Sequence, residues 1–195
     1  MKMTVEEFDL FWRTNYPRTS PLPHLFKLDY KARWLRINSL ENSKNRPANN
    51  SDWITLLERQ NKVITDLVGN KSLIYGITGE YNFGKNPDTP EFLTVKELKD
   101  FQFTALKAVD MKKVSWEEYR VGQTYLPYLT EFIWEKHSFD PLLKAIAVDD
   151  MRMFFVSVTK KCLIAPFDGG IDIIVDTPHL KNYFKTKYKN WLSDF

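Results

Sequence analysis

Leu163-Ile164-Ala165-Pro166-Phe167-Asp168-Gly169-Gly170-Ile171-Asp172-Ile173-Ile174-Val175 sets two short apolar runs on either side of an Asp-Gly-Gly turn. Asp-Gly signals a tight turn because glycine takes a positive φ without steric cost, and the β-branched residues beyond it suit a strand. The stretch predicts a buried hairpin, so part of the fold is an antiparallel sheet. By itself it identifies no reaction and no ligand.

The neighbouring segments extend that reading in both directions. Upstream, Met151 to Val158 is rich in Phe and Val and predicts a strand leading into the hairpin. Before it, Phe139 to Val148 predicts a short helix capped near Ser138 or Asp140, with Pro141 tolerated in its first turn. Downstream, Thr177-Pro178 is a cap followed by proline at the first helical position, and Leu180, Phe184, Tyr188 and Trp191 line one face of a closing helix. Lys181, Lys185, Lys187 and Lys189 keep the outer face of that helix wet and favour the negative end of its dipole.

The N-terminal half supplies further helices and a central strand. Thr4 and Glu7 form a capping-box pattern ahead of Val5, Phe8, Phe11 and Trp12 at helical spacing, and Tyr16-Pro17 ends that helix. Pro17 to Pro23 holds three prolines and predicts a non-helical connector anchored by Leu22 and Leu25. Residues 1–23 therefore read as a helix plus a proline-rich connector. Ala32 to Ile37 predicts a strand, and residues 38–50 a mobile loop with almost nothing to bury. Ser51 or Asn50 then caps a helix carrying Trp53, Leu56, Leu57, Gln60, Val63, Ile64 and Leu67 on one side, with Gly69 at its end.

Ser72 to Thr78 is continuously apolar, which places it centrally in a sheet. Tyr81 to Pro90 predicts irregular chain. Thr94 and Glu97 form a second capping-box pattern for a turn or two of helix, and Phe101 to Lys107 alternates like a strand. Val114 to Tyr128 reads equally as loop or broken strand, and Leu129 to Trp134 as strand. The whole predicts one α+β domain over residues 1–195, a mixed or antiparallel sheet with a late meander, packed by N-terminal, middle and C-terminal helices.

Length and composition bound the function. The 195 residues are 43% hydrophobic and 15% aromatic, enough for one compact core. Cys162 is the single cysteine, so a cross-linked secreted scaffold is excluded and a reducing compartment is expected. No apolar run reaches the roughly 18 to 20 residues of a membrane span, and the N-terminus lacks the pattern of a signal peptide. A soluble cytoplasmic protein without a membrane partner is the expectation. A formal charge of +3 from 28 basic and 25 acidic residues argues against a phosphate-tracking surface. A nucleic-acid partner using Arg33, Arg36 and the C-terminal lysines is the weakest of three functional readings.

Catalytic motifs are sought without result. Gly76-Ile77-Thr78-Gly79 lacks the lysine of a phosphate cradle. His24, His137 and His179 stand alone, with no second ligand at metal spacing. Cys162 reads as a small buried hydrophobe. No cofactor and no metal are expected.

Two residue groups remain as candidates. Asp149, Asp150, Asp168 and Asp172 converge on one rim of the sheet if their strands are neighbours. Such carboxylates serve turn chemistry, contact with a partner, or, as the alternative function, a small hydrolase or metal-dependent enzyme. Trp116, Glu117, Glu118, Tyr119 and Tyr125 combine large rigid aromatics with carboxylates, the mix that protein interfaces use. Against that stands the reading of Trp116 and Tyr125 as core residues of an irregular strand.

Three blocks carry a resemblance: Arg33-Trp34-Leu35-Arg36-Ile37-Asn38-Ser39-Leu40; Glu58-Arg59-Gln60-Asn61 with Asp66-Leu67; and Ala165 to Ile174 with Lys187-Tyr188-Lys189-Asn190-Trp191-Leu192-Ser193. From about Leu25 to Ser193 the chain resembles a family of uncharacterised bacterial cytosolic proteins. Members of such families often sit beside polymorphic toxin genes and are thought to act as immunity proteins. The resemblance implies a non-enzymatic protein-binding module whose partner is a cognate toxin domain, and it carries over no catalytic residue. Met111 to Tyr128 departs from the shared blocks and is where a partner-specific surface is expected.

Overall fold

The computed structural model describes residues 3–41, 44–83 and 90–192. Helices α1 (Val5–Asn15) and α2 (Pro23–Asp29) precede strand β1 (Trp34–Asn38) and the long helix α3 (Asn50–Val68). Strand β2 (Ser72–Asn82), short strands β3 (Thr104–Ala105) and β4 (Val109–Asp110), the single-turn helix α4 (Met111–Val114) and strand β5 (Thr124–Trp134) follow. Helix α5 (Asp140–Ala147), strands β6 (Phe154–Ser157), β7 (Cys162–Pro166) and β8 (Gly170–Ile174), and helix α6 (Pro178–Lys187) complete the chain.

All eight strands join one sheet in the order β1-β8-β7-β6-β2-β5-β3, with β4 also pairing β5, and the sheet does not close into a barrel. Every pairing is antiparallel. The hairpin read from the sequence is β7–β8, closed by the Phe167 amide donating to the Gly170 carbonyl at 2.9 Å. β2 lies between β6 and β5, the central position its apolar run implies.

Alternation along the strands gives the sheet two apolar faces. Tyr75, Ile77, Leu129, Phe154, Val156 and Leu163 pack with Phe8 and Trp12 of α1 and Phe26 of α2. Ile74, Phe132, Trp134, Phe155, Ile164 and Ile173 pack on the other face with Leu56, Val63 and Ile64 of α3, Leu142 and Leu143 of α5, and Phe184 of α6. Burying each such large side chain contributes about 1.5–3 kcal/mol relative to exposure. The caps read from sequence secure two of these helices: both bonds of the Thr4–Glu7 box form, and the Thr177 hydroxyl accepts from the Leu180 amide.

Several local expectations change. Gly169 and Gly170 do not take positive φ, which among the described glycines is found at Gly69 and Gly122. They are small because other chain passes over them: a Cβ on Gly170 would lie 2.7 Å from the Ile37 carbonyl oxygen, and one on Gly169 would lie 3.1 Å from that of Lys44. Helix α2 begins inside the predicted connector, with Pro23 in its first turn. Asn49, not Asn50 or Ser51, caps α3. Phe139 is the N-cap of α5 and makes no side-chain cap bond there, so neither Ser138 nor Asp140 serves.

The second capping box yields two single 3₁₀ turns, Glu91–Thr94 and Lys96–Leu98, the latter starting after Val95. The strand expected over 101–107 shrinks to Thr104–Ala105, Tyr81 and Asn82 extend β2, and most of the irregular segment beyond them, 84–89, lies outside the described residues. The part of the 38–50 loop that is described packs on the hairpin turn, where Lys44 and Asn45 abut Gly169.

One shortfall shapes the candidate site. β6 starts at Phe154, three residues later than the apolar pattern suggests, and pairs β2 only over Tyr75–Ile77. β2 continues to Asn82 against β5. Past Ile77 its other side has no strand neighbour. Met151 to Met153 leave the sheet there, and the Thr78 hydroxyl donates to the Arg152 carbonyl at 2.7 Å in place of a ladder bond. A gap opens between β2 and the end of β7.

Candidate functional site

That gap is a cavity of about 390 Å³. Its apolar lining comes from Leu22, Ile77, Met153, Phe154 and Ala165, with Tyr81 and Tyr125 on one side. Gly79 makes room for the Tyr125 ring: a Cβ there would stand 2.6 Å from it and 2.5 Å from the Leu126 carbonyl oxygen. Burial raises the Tyr125 hydroxyl well above the usual phenol range, so it stays protonated.

Three of the four candidate carboxylates, Asp149, Asp168 and Asp172, line this cavity together with Arg36, Arg46 and Arg152. Each carboxylate is held by its own arginine. Asp172 on β8 faces Arg36 on β1 in register, and the guanidinium meets it with two bonds of 2.7 and 2.8 Å. Arg36 also lies over the Phe167 and Trp34 rings, at 4.7 and 5.6 Å. Asp168 accepts from Arg46 at 3.1 Å and from the Gly169 amide at 2.9 Å.

Asp149 accepts from Arg152 at 3.3 Å and sits with φ of 62° just past α5. There the Asp149 amide donates to Ile146 and the Asp150 amide to Ala145, closing the helix with a left-handed residue, a conformation Asp tolerates better than most side chains. Asp150 lines a separate depression with Trp53, Pro141 and Lys144. Among the described residues no group of three or more His, Cys, Asp or Glu side chains could hold a metal ion.

The second candidate group lies beside the same cavity. Trp116 is 71% exposed and is not core, whereas Tyr125 is 6% exposed and is. Glu117 and Glu118 are exposed, and Tyr119 is half-buried. The Tyr119 ring lies parallel to Tyr81, which also has Phe83, parallel and 62% exposed, and the tilted Tyr125 ring as neighbours. Tyr81 lines the cavity, so the aromatic rim and the carboxylates share one end of the sheet.

The segment carrying the rim is ordered by its own bonds: Ser115 to Met111, Tyr119 to Ser115, Lys112 Nζ to the Trp116 carbonyl, and the Arg120 amide to Gln123. Gly122 supplies the positive φ of 87° that turns the chain into β5.

Other sequence candidates have structural tasks. Arg33 donates to the Asn15 and Asp176 carbonyls and covers the Tyr16 and Tyr30 rings. Lys187 pairs with Asp66, while Lys185 and Lys189 are exposed. Burial pushes the Cys162 thiol up to about 12, which leaves it protonated and unreactive near neutrality. His137 contacts Glu58 and Asp140, and His24 lies at the cavity rim. Sequence reasoning assigns no site role to Arg46, Arg152 or Tyr81, and names Tyr125 as an interface aromatic, whereas the structure buries it against the cavity. Only Arg36 had a usable signal, through its cross-strand position once β1 is set beside the hairpin.

Fold and site define an α+β protein with an open antiparallel sheet and a polar-rimmed cavity where one strand starts late. The chain belongs to the DUF3885 family, a domain of unknown function, which matches residues 22–195. The match covers the blocks that carried the sequence resemblance and leaves α1 outside. No curated protein and no solved structure matches the chain. No helix among the described residues is long and apolar enough to cross a membrane.

Proposed function

We propose that the protein is a non-enzymatic binding module whose partner is another protein, and that it acts as an immunity protein occluding a cognate bacterial toxin in the cytoplasm. The observation that carries the reading is the rim at Phe83, Trp116, Tyr119 and Val121. Three large side chains there are mostly exposed, at 62% for Phe83, 71% for Trp116 and 87% for Val121, and the latter two sit on a segment already ordered by hydrogen bonds. Rigid exposed aromatics supply contact area at low entropic cost, which is how interface anchors work. Glu117 and Glu118 beside them steer a partner by charge. The toxin-neutralising role rests on the family resemblance in the sequence.

The carboxylate enzyme is the weaker reading. A general acid or a metal ligand needs an uncommitted oxygen and, for the acid, a raised pKa. Asp172 has both oxygens bound by Arg36, and Asp168 has one bound by Arg46 and one by the Gly169 amide. The test is co-expression with the proposed cognate toxin domain. Wild-type protein should restore growth, and Trp116→Ala combined with Val121→Asp should abolish rescue while the melting temperature stays within about 2 °C, as expected for exposed sites. Full rescue by the double variant would contradict the reading.

A further inference from the structure

The rim explains a surface but leaves the cavity beneath it without a task. Its size lies within the range of small-ligand pockets, about 300–1,000 Å³, and its make-up of apolar walls with a few convergent polar groups is the usual one. We propose that the cavity binds a small organic monocarboxylate, an acid with an apolar or aromatic body.

The body is set by the walls. Ile77, Met153, Phe154 and Ala165 offer aliphatic and aromatic surface, and Leu22 closes the cavity from the α2 side. Nothing on these side chains rewards a polar body, and desolvating one without partners costs free energy.

The charge is set by the arginines. Arg46 and Arg152 each commit only Nε to an aspartate, and no bond within the described residues takes their Nη groups. Both guanidiniums are largely exposed, at 73% and 80% of the side chain. Exposed pairs of this kind contribute about 0–1 kcal/mol, so turning a guanidinium towards an incoming carboxylate costs little. A guanidinium edge with two parallel N–H groups matches a carboxylate in shape as well as charge. Arg36 cannot make the same turn, because Asp172 already holds it through two bonds.

A monoanion is favoured over a dianion. Three arginines and three aspartates line the cavity, so its formal charge is balanced. One negative charge can pair with an Nη edge. A second, as on a phosphate monoester, would face Asp149 and Asp168 at close range and be repelled. The protonated Tyr125 hydroxyl and that of Tyr81 add neutral groups on the β2–β5 side.

Two methionines that line the cavity, Met151 and Met153, provide a direct readout. With methyl-labelled methionine, the full-length protein is titrated with butyrate, phenylacetate and indole-3-acetate, with the amide of each, and with phenyl phosphate. At least one acid should move the Met151 and Met153 methyl signals along a saturable curve and leave Met3 in place. Its amide and phenyl phosphate should bind at least about tenfold more weakly, since the pairing of one charge is lost or one charge goes unmatched. Arg152→Met and Arg46→Met should each weaken binding about fivefold with no change in melting temperature, as fits exposed side chains. The proposal is overturned if none of the acids moves the two methyl signals at about 10 mM, where a millimolar site would be nearly saturated. It is equally overturned if acids and amides bind alike, or if both arginine variants bind as the wild type does.

Discussion

Helix α3 and the segment from Trp116 to Val121 use polar and aromatic side chains in opposite ways. On the α3 side the reach is inward. Gln60 Nε2 spans Ser39 and the carbonyls of Phe167 and Gly170, Arg59 donates to the Asn38 and Leu40 carbonyls and lies over Trp191, and Asp66 receives Lys62, Lys187 and the Tyr188 hydroxyl. These bonds tie the hairpin turn, β1 and α6 to a single helix. On the Trp116 side a few backbone bonds order the turn and Tyr119 stacks on Tyr81, but Trp116 and Val121 stay exposed. Bonds that hold the fold absorb their side chains. A surface kept ordered while Trp116 stays exposed is available to a partner.

The largest effect should come from cutting the centre of the α3 ties. Gln60→Ala takes this donor from the Ser39 hydroxyl and the Phe167 carbonyl and leaves the buried Gly170 carbonyl with the Phe167 amide alone, and an unpaired buried polar group costs about 1–3 kcal/mol. Loss of about 3 kcal/mol in denaturant unfolding is expected. A loss below 1 kcal/mol, within the range of ordinary surface changes of about 0.5 kcal/mol, would place Gln60 with the rim and erase the contrast.

Arg36→Met should follow, at about 2 kcal/mol, because it leaves Asp172 with a side chain only 15% exposed and no counter-ion. This variant separates the arginines of the cavity: Arg36 holds the sheet, whereas Arg46 and Arg152 stand at its edge.

Acid sharpens the contrast further. Burial acts to raise the Asp66 carboxyl, but hydrogen bonds from Lys187, Tyr188 and Lys62 outweigh it and hold the group below the usual carboxylate range. A depressed folded pKa gives stability that is complete above the unfolded value of about 3.9 and is lost as pH falls through the folded value. Asp66→Asn should therefore remove about 1 kcal/mol near neutrality and flatten the fall in stability below about pH 4. An unchanged acid limb in the variant would show that the α6 tie does not depend on this charge.

The smallest expected effect is a gain. Asp149 occupies a left-handed position after α5 that glycine adopts freely, so Asp149→Gly should be neutral or stabilising by up to about 1 kcal/mol. A clear loss of stability would mean that its bond to Arg152 matters more than the turn.

What the sequence made legible follows from the range of each interaction. The hairpin, α1, α3 and α6 were readable because their signals are local: a Gly-Gly turn, a Thr4–Glu7 box, an apolar stripe from Leu56 to Leu67, a Thr177-Pro178 start. The reason for Gly169 and Gly170 was not, since the constraint is imposed by Ile37 and Lys44, more than a hundred residues away. Asp168 and Asp172 were visible as a pair, but their arginines come from β1 and its following loop. The cavity was the least legible feature. It exists because β6 begins at Phe154 although Met151 and Met153 continue its apolar pattern, and no periodicity records where a strand leaves its sheet. For Trp116 and Tyr125, the general burial of large aromatics favours core for both, and the structure buries Tyr125 but exposes Trp116.

The most direct test of the contrast is a crossed measurement on the α3 tie and the rim. Binding to the proposed cognate toxin domain is titrated under conditions where every variant is folded, alongside denaturant unfolding of the same samples. Trp116→Ala should weaken binding at least about tenfold, a loss of about 1.4 kcal/mol, while changing stability by no more than about 0.5 kcal/mol. Gln60→Ala should do the reverse, losing about 3 kcal/mol of stability and keeping wild-type affinity. Wild-type affinity in Trp116→Ala, or binding and stability falling together in both variants, would contradict the assignment of the Trp116 segment as the contact surface.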